Sequence, residues 1–297
     1  MFDVIIIGGG PAGLASALTL GRALKTTLVI DNNNPRNKVT HESHAYLTQD
    51  GVTPETLRSN AERDVNKYEH VQRISDTVTH VEQATDYFII QTKSTTYYTR
   101  KLILAMGLKE TLPDIPGTRA CYGTSLFYCP WCDGYELRDR SLIVSVPATH
   151  IRHMSKLMPN WSQDIVMHVA DGASPDDEDK TYLDRKGIQL ITSTITEFQH
   201  TEGHLTAVSF ADGTSINRDG GLISIEVNSD FDFLHPLQLH REDNGRITTN
   251  DFSETSVSGV FVVGESKNIM PSQLIDAASD GNTVAKFVAL QLIEDND

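Results

Sequence analysis

The sequence predicts an α/β protein built from parallel-sheet units, and three observations carry that reading. An apolar β-branched run, Val4-Ile5-Ile6-Ile7, passes directly into Gly8-Gly9-Gly10-Pro11-Ala12-Gly13 and a helix-forming stretch. A second strand–helix–strand set opens at Ser141. A third apolar strand, Gly259-Val260-Phe261-Val262-Val263-Gly264, also ends on glycine and is followed by a helix. Continuous apolar strands alternating with helices belong to sheets covered on both faces.

Val4 to Ile7 reads as a fully buried strand, because no polar residue interrupts it. Leu14, Ala15, Leu18 and Leu20 mark a helix packed on a sheet, and Thr27-Leu28-Val29-Ile30, ending in Asp31, completes a βαβ unit. Residues 71–105 carry short alternating runs, clearest at Tyr87-Phe88-Ile89-Ile90 and Leu102-Ile103-Leu104-Ala105. Leu112-Pro113-Asp114-Ile115-Pro116-Gly117 is a stiff, helix-breaking connector and marks a domain boundary. Ser141 to Val146 starts the second set, with a helix over roughly His150 to Met158 and a strand over Ile165 to Val169. Asp171 to Lys180, carrying Asp176, Asp177, Glu178 and Asp179, reads as a solvated polar loop. Glu242-Asp243-Asn244-Gly245 is turn-like, and the final helix is expected from about Pro271, a good first helical residue.

The chain has 297 residues, 25 basic and 40 acidic side chains, a net charge of −15 and three cysteines. That length suits about two domains and a sizeable core, without disulfide or metal staples. Three cysteines do not make a secreted disulfide framework. The acidic balance speaks against a nucleic-acid grip, which needs a concentrated basic face. No apolar run approaches the ~18–20 residues of a membrane span, and the start lacks the basic lead of a signal peptide. The expectation is a soluble, cytoplasmic protein with neither membrane nor nucleic acid as partner.

Three constellations carry chemistry. Gly8, Gly10 and Gly13 stand at G-x-G-x-x-G spacing between a buried strand and a helix. The first allows a tight turn, the second lets a pyrophosphate approach the backbone, and the third brings helix and strand together; Asp31 suits a ribose hydroxyl. The second is Cys129-Pro130-Trp131-Cys132-Asp133-Gly134. A proximal C-x-x-C pair suits reversible disulfide chemistry, with one thiol attacking and the other resolving, and Asp133 beside it can move the proton. A lone pair cannot close a four-ligand zinc site by itself. Histidines that complete such a site, or two buried structural cysteines, are the competing readings; no metal is expected. Cys121 is expected to be buried packing. The third is Gly264-Glu265 with the helix that follows, which points donors and a positive helix end at an anion. Both chain ends therefore build one domain.

Together these motifs resemble the low-molecular-weight thioredoxin reductases, within the FAD-dependent pyridine nucleotide-disulfide oxidoreductases, over essentially the whole chain. Asp31 to Asn37 and Cys129 to Glu136 are similar to a subgroup of bacterial flavin oxidoreductases and fungal dithiol oxidases. The resemblance implies a homodimer of two Rossmann-like (FAD/NAD(P)-binding) three-layer domains, the second inserted in the first. The FAD domain would be residues 1–116 and 237–297, and the inserted dithiol domain 117–236. It implies Gly8, Gly10, Pro11, Ala12 and Gly13 on the FAD pyrophosphate and Asp31 on the adenosine ribose. Arg36 and Asn37 would lie along the cofactor, and Ala105-Met106-Gly107 would replace the family's A-T-G turn. Gly264 and Glu265 would approach the ribityl chain, with Glu265 standing where Asp is usual. Gln273, Leu274 and Ile275 would give backbone donors to the flavin's pyrimidine edge. Cys132 would be the flavin-side thiol, Cys129 the one that attacks a partner disulfide, and Asp133 the acid/base.

One departure shapes the functional expectation. The family's inserted domain has a glycine-rich turn for NADPH and an H-R-R…R cluster for its 2′-phosphate. Here the strand exits into Ser145-Val146-Pro147-Ala148-Thr149-His150, without glycine, and the cluster position reads His168-Val169-Ala170-Asp171. Side chains would block the backbone, Pro147 lacks a donor and Asp171 would repel a phosphate. NADPH is therefore not expected as a ligand. The precedent within the wider family is electron supply from ferredoxin, flavodoxin or another flavin, with a thioredoxin-like protein or a small-molecule disulfide as acceptor. Arg152, His153 and Lys156 on the adjoining helix are candidates for docking an acidic carrier, or form a solvated helix face. The alternatives are an NADPH-dependent reductase with a divergent pocket, a dithiol oxidase using oxygen, and a non-catalytic flavin redox sensor.

Overall fold

A computed structural model describes residues 1–268 and 272–295, and Pro271, at the expected start of the final helix, lies outside them. The chain divides into two units: Met1–Lys38 with Ala45–Lys109 and Val227–Asp297, and Val39–His44 with Glu110–Glu226.

The first unit holds a seven-stranded sheet. Phe2–Ile7 lies between Thr27–Asp31 and Thr96–Leu104, parallel to both. Val71–Ser75 extends the sheet beyond Thr27–Asp31, and Val260–Val262 adds to Thr96–Leu104, again in parallel. Phe88–Thr92 and Val78–Gln83 continue it antiparallel. The apolar run at the start is continuous because both faces are covered. Val4 and Ile6 pack with Leu14, Ala17 and Leu20 of the helix Pro11–Arg22 and with Val284, Val288 and Leu292 of the helix Leu274–Glu294. Ile5 and Ile7 point the other way, among Leu28, Ile30, Leu102, Phe88, Leu234 and Leu237. Each such side chain, fully buried, contributes about 1.5–3 kcal/mol. The two helices approach closely: a side-chain carbon on Gly281 would sit 2.1 Å from the Ala12 carbonyl oxygen, and the Ser16 hydroxyl donates to the carbonyls of both Ala12 and Gly281.

The second unit has a five-stranded parallel sheet, ordered Gln189–Ile191, Ile165–Val169, Leu142–Val146, Gly220–Ile223 and Leu126–Phe127. An antiparallel sheet of Ile195–Thr201, His204–Phe210 and Ser215–Asn217 accompanies it. Leu142 and Val144 face Ile151, Met154 and Leu183, while Ile143 and Val166 face Phe198, Val208 and Phe210.

By contact the chain passes between units at Glu110 and Val227. On the return side Leu234 and Leu237 are buried against the first sheet, and the 3-10 turn Asp232–Leu237 goes with the first unit. Two expectations need correction. The acidic run is more than a loop. Asp176 caps the helix Asp177–Lys186 by accepting from the Asp179 amide, and Asp177, Glu178 and Asp179 fill its first turn, where negative charge is favoured. The helix expected over His150 to Met158 is α-helical over Ile151–Leu157, with 3-10 turns at either end.

Candidate active site

In the first unit the glycine turn is fixed by sterics. Gly8 has φ +105°, and a side-chain carbon there would lie 2.3 Å from the Ala105 carbonyl oxygen. One at Gly13 would lie 1.9 Å from the Gly8 carbonyl oxygen. Gly8, Gly13 and Ala105 therefore interlock strand, helix and the Thr96–Leu104 strand end. Gly10 differs: no heavy atom lies within 4 Å of the carbon it lacks. Pro11 opens the helix without needing an amide partner, Ala12 and Gly13 follow in its first turn, and no side chain caps it at Gly10. An open approach to an uncapped twelve-residue helix is what a pyrophosphate requires.

Asp31, at the end of the second strand, is held by Arg58, which also donates to Asn33 and Glu62. Burial opposes the Arg58 charge, yet Glu62 and Asp31 together raise its pKa above the ordinary value. A side-chain carbon at Gly9 would press within 3.0 Å of the Asp31 carboxylate. Arg36 donates to Glu265 at 2.6 Å, and Asn37 lies in the same short turn, Arg36–Val39. Glu265 also accepts from the Ser272 amide at 2.8 Å. Gly264, at φ +67°, donates its amide to Asp280. The Ser266 hydroxyl donates to the carbonyl of Gly107, itself at φ +70°, while Met106 packs beside the buried core. Gln273 precedes Leu274 and Ile275, which open a 21-residue helix without a side-chain cap. The open Gly10 cradle, the uncapped helix and the Arg36–Glu265–Ser272 tie fit an extended dinucleotide such as FAD.

In the second unit Cys129 and Cys132 form a disulfide, with Cα atoms 5.3 Å apart, on the short helix Pro130–Asp133. Trp131 between them is 64% exposed and meets Trp161 edge-on. Asp133 is partly buried. Burial pushes its carboxyl up from 3.8 to about 7; His44 opposes that rise and Glu136 adds to it. A carboxyl poised near neutrality can both give and take a proton. Cys121 is fully buried and free, and burial raises its thiol pKa, opposed by a hydrogen bond with Ser125. Among the described residues no cluster of histidine, cysteine and acid groups could hold a metal ion.

The exit of Leu142–Val146 is occupied by the chain itself. The Asp171 carboxylate accepts from the Ala148 amide at 3.3 Å and from the Ala173 amide at 3.2 Å. Ser145 and His168 are both buried and share a 2.8 Å hydrogen bond, with the other imidazole nitrogen 3.1 Å from the Ser193 carbonyl. Burial lowers the His168 pKa, against that second contact. Arg152 does not present a bare cation, because Asp179 and Glu178 pair with it.

The family model for pyridine nucleotide-disulphide oxidoreductases matches residues 2–150 and 164–281. The chain belongs to that family. A "Probable thioredoxin reductase" of Arthroderma benhamiae is 30% identical over 95% of this chain and 76% of its own length. The crystal structure of a provisional thioredoxin reductase, TrxB, from Bacillus anthracis superposes with a TM-score of 0.95 at 38% identity, covering 100% of both chains. An oxidoreductase from Agrobacterium tumefaciens gives a TM-score of 0.91 at 29% identity over 99% of each chain. The protein is thus an FAD-dependent disulfide oxidoreductase with a thioredoxin reductase-like α/β fold, and among its described residues no helix is long and apolar enough to cross a membrane. Sequence reading of this flavin oxidoreductase missed Gly9, Arg58, Ser272 and His44. Gly9 carried a signal, since it sits inside the glycine turn; the others meet their partners only through folding.

Proposed function

We propose that this enzyme exchanges electrons between FAD and the Cys129–Cys132 disulfide, and then with a partner disulfide, taking its electrons from a donor other than NADPH. The observation that carries the reading is the disulfide with Asp133 beside it, poised near neutral pH. In the first unit, Gly8, Gly10, Pro11, Ala12 and Gly13 hold the FAD pyrophosphate and Asp31 the adenosine ribose. Arg36, Asn37, Ala105, Met106 and Gly107 lie along the cofactor, with Gly264 and Glu265 at the ribityl chain and Gln273, Leu274 and Ile275 at the pyrimidine edge. Bound FAD supplies the two-electron chemistry. Opening the disulfide leaves one sulfur on each cysteine, and Asp133 gives its proton to the thiolate that leaves. Cys129 then attacks a sulfur of the partner disulfide, forming a mixed disulfide and releasing one partner thiolate. Cys132 attacks the Cys129 sulfur, which releases the second partner thiolate and restores Cys129–Cys132. The acceptor is a thioredoxin-like protein or a small-molecule disulfide, and the enzyme works as a homodimer.

Asp171 supports the choice of donor. It places a carboxylate on the amide that a dinucleotide phosphate would use, Pro147 offers no amide, and no glycine relieves the turn. A one-electron or flavin carrier such as ferredoxin or flavodoxin needs no such pocket. Anaerobic mixing of the holoenzyme with NADPH, NADH, reduced ferredoxin and reduced flavodoxin tests the reading. Flavin bleaching by a protein carrier alone is expected. Fast bleaching by NADPH would overturn the choice of donor, and peroxide formed on adding a dithiol would turn the reading toward an oxidase.

A further inference from the structure

The residues Val39–His44 belong with the second unit, although the chain on either side of them belongs to the first. The detour is tightly packed. Gly123 has φ +84°, and a side-chain carbon there would stand 2.3 Å from the Val39 carbonyl oxygen. Its product is a charge cluster beside the disulfide. The His44 side chain is 17% exposed, with its Nε2 atom 3.7 Å from Glu136 Oε1 and 3.8 Å from Glu42 Oε2. Those separations are too long for direct hydrogen bonds between these atoms, so the carboxylates act on the ring through space. The other oxygen of Glu136, Oε2, is buried and has no hydrogen-bond partner. A buried carboxylate oxygen without a donor is costly unless a cation stands close by.

We propose that His44, held between Glu42 and Glu136, is a positioning residue of the dithiol centre which, together with Glu136, sets the pH at which Asp133 passes its proton to and from the cysteines. The inference rests on reading Cys129–Cys132 as the redox centre. Among the described residues, the charges that act on Asp133 are those of His44 and Glu136, and they act in opposite directions. Glu136 follows Asp133 by three residues, so the two carboxyls crowd one turn and their repulsion favours a neutral Asp133. His44 brings positive charge from a different part of the chain and favours the ionised form. Glu42 faces His44 on the same segment, with its Oε2 atom 3.8 Å from the imidazole Nε2. Neither His44 nor Glu136 exchanges atoms with the substrate; both tune the group that does. The arrangement makes a prediction that packing alone would not make, because removing the two tuning charges must shift the proton transfer in opposite senses.

The test is anaerobic reduction of the holoenzyme's flavin by dithiothreitol, followed from about pH 5 to about pH 9, in the wild type and in His44→Gln and Glu136→Gln. Asp133→Asn identifies the inflection that belongs to Asp133, and Cys132→Ser shows that the electrons travel through the dithiol. The expected midpoint moves up by about one pH unit in His44→Gln and down by about one in Glu136→Gln. If His44→Gln does not hold flavin, the downward shift in Glu136→Gln carries the test. Midpoints that stay in place, or that move in the same direction, overturn the role of His44. A Cys132→Ser enzyme reduced as fast as the wild type overturns the dithiol reading itself, a result distinct from either.

Discussion

Replacing Asp133 by Asn should change how stability depends on pH. In the unfolded chain the carboxyl titrates near 3.8, and in the folded protein near 7, chiefly because burial penalises its charge. Between those values the folded state binds the proton more tightly than the unfolded one. Stability is therefore lost as pH rises from about 4 to about 7, and is unaffected by this group below that window. Each pH unit corresponds to about 1.4 kcal/mol. The three units between give a ceiling of about 4 kcal/mol, reduced by water reaching a side chain that is only partly buried. The amide side chain of Asp133→Asn has no charge to gain, so the variant lacks this slope. Both tryptophans, Trp131 and Trp161, lie close together in the same unit as Asp133, 5.5 Å between ring centroids, and report its unfolding. Urea denaturation of oxidised holoprotein, followed by tryptophan fluorescence from about pH 4 to about pH 8, should show the variant gaining on the wild type as pH rises, then a plateau. A stability difference that is flat across that range would refute the buried, neutral-leaning carboxyl.

Other outcomes follow from the same geometry. Gly13→Ala drives a carbon against the Gly8 carbonyl and should cost about 1–3 kcal/mol with loss of flavin. Gly10→Ala meets no protein atom, so stability of the apoprotein should change by about 0.5 kcal/mol or less while FAD affinity falls about tenfold or more; calorimetry and equilibrium dialysis separate the two. Glu265→Ala strips a partner from Arg36 and the Ser272 amide and should weaken FAD binding by about 1–3 kcal/mol. Glu265→Gln, which can still accept from Ser272, should lose less, as read by flavin release rates. Cys121→Ala should cost about 1 kcal/mol through a small cavity and leave turnover and the count of redox-active thiols unchanged.

Much of the fold was legible where one local rule dominates. Val4 to Ile7 faces core on both sides, so its run is unbroken, and the glycine spacing follows from contacts within a few residues of sequence and one neighbouring strand. The acidic run at Asp176 to Asp179 misled because charge density masks a helix start, although an Asp cap with acids in the first turn is itself a start signal. The closeness of Cys129 and Cys132, and of Asp133 next to them, follows directly from their spacing. His44 was not, because nothing local ties it to Glu136: their meeting depends on a six-residue detour, Val39–His44, into the other unit. Arg58 met Asp31 in the same way, across a helix whose polar face looks ordinary in sequence.

The contact of Gly281 with Ala12 also has a consequence for how the enzyme is made. The first glycine turn leaves the ribosome early, but the helix that lies against it, Leu274–Glu294, is synthesised only after the whole of Glu110–Glu226. The dithiol unit can therefore assemble while the first sheet still lacks the strand Val260–Val262 and one of its two covering helices. During that interval one face of Phe2–Ile7 is incompletely covered and open to wrong partners. Flavin capture is then a late event in biogenesis, and variants that slow the docking of the final helix should accumulate as flavin-free protein with an intact disulfide.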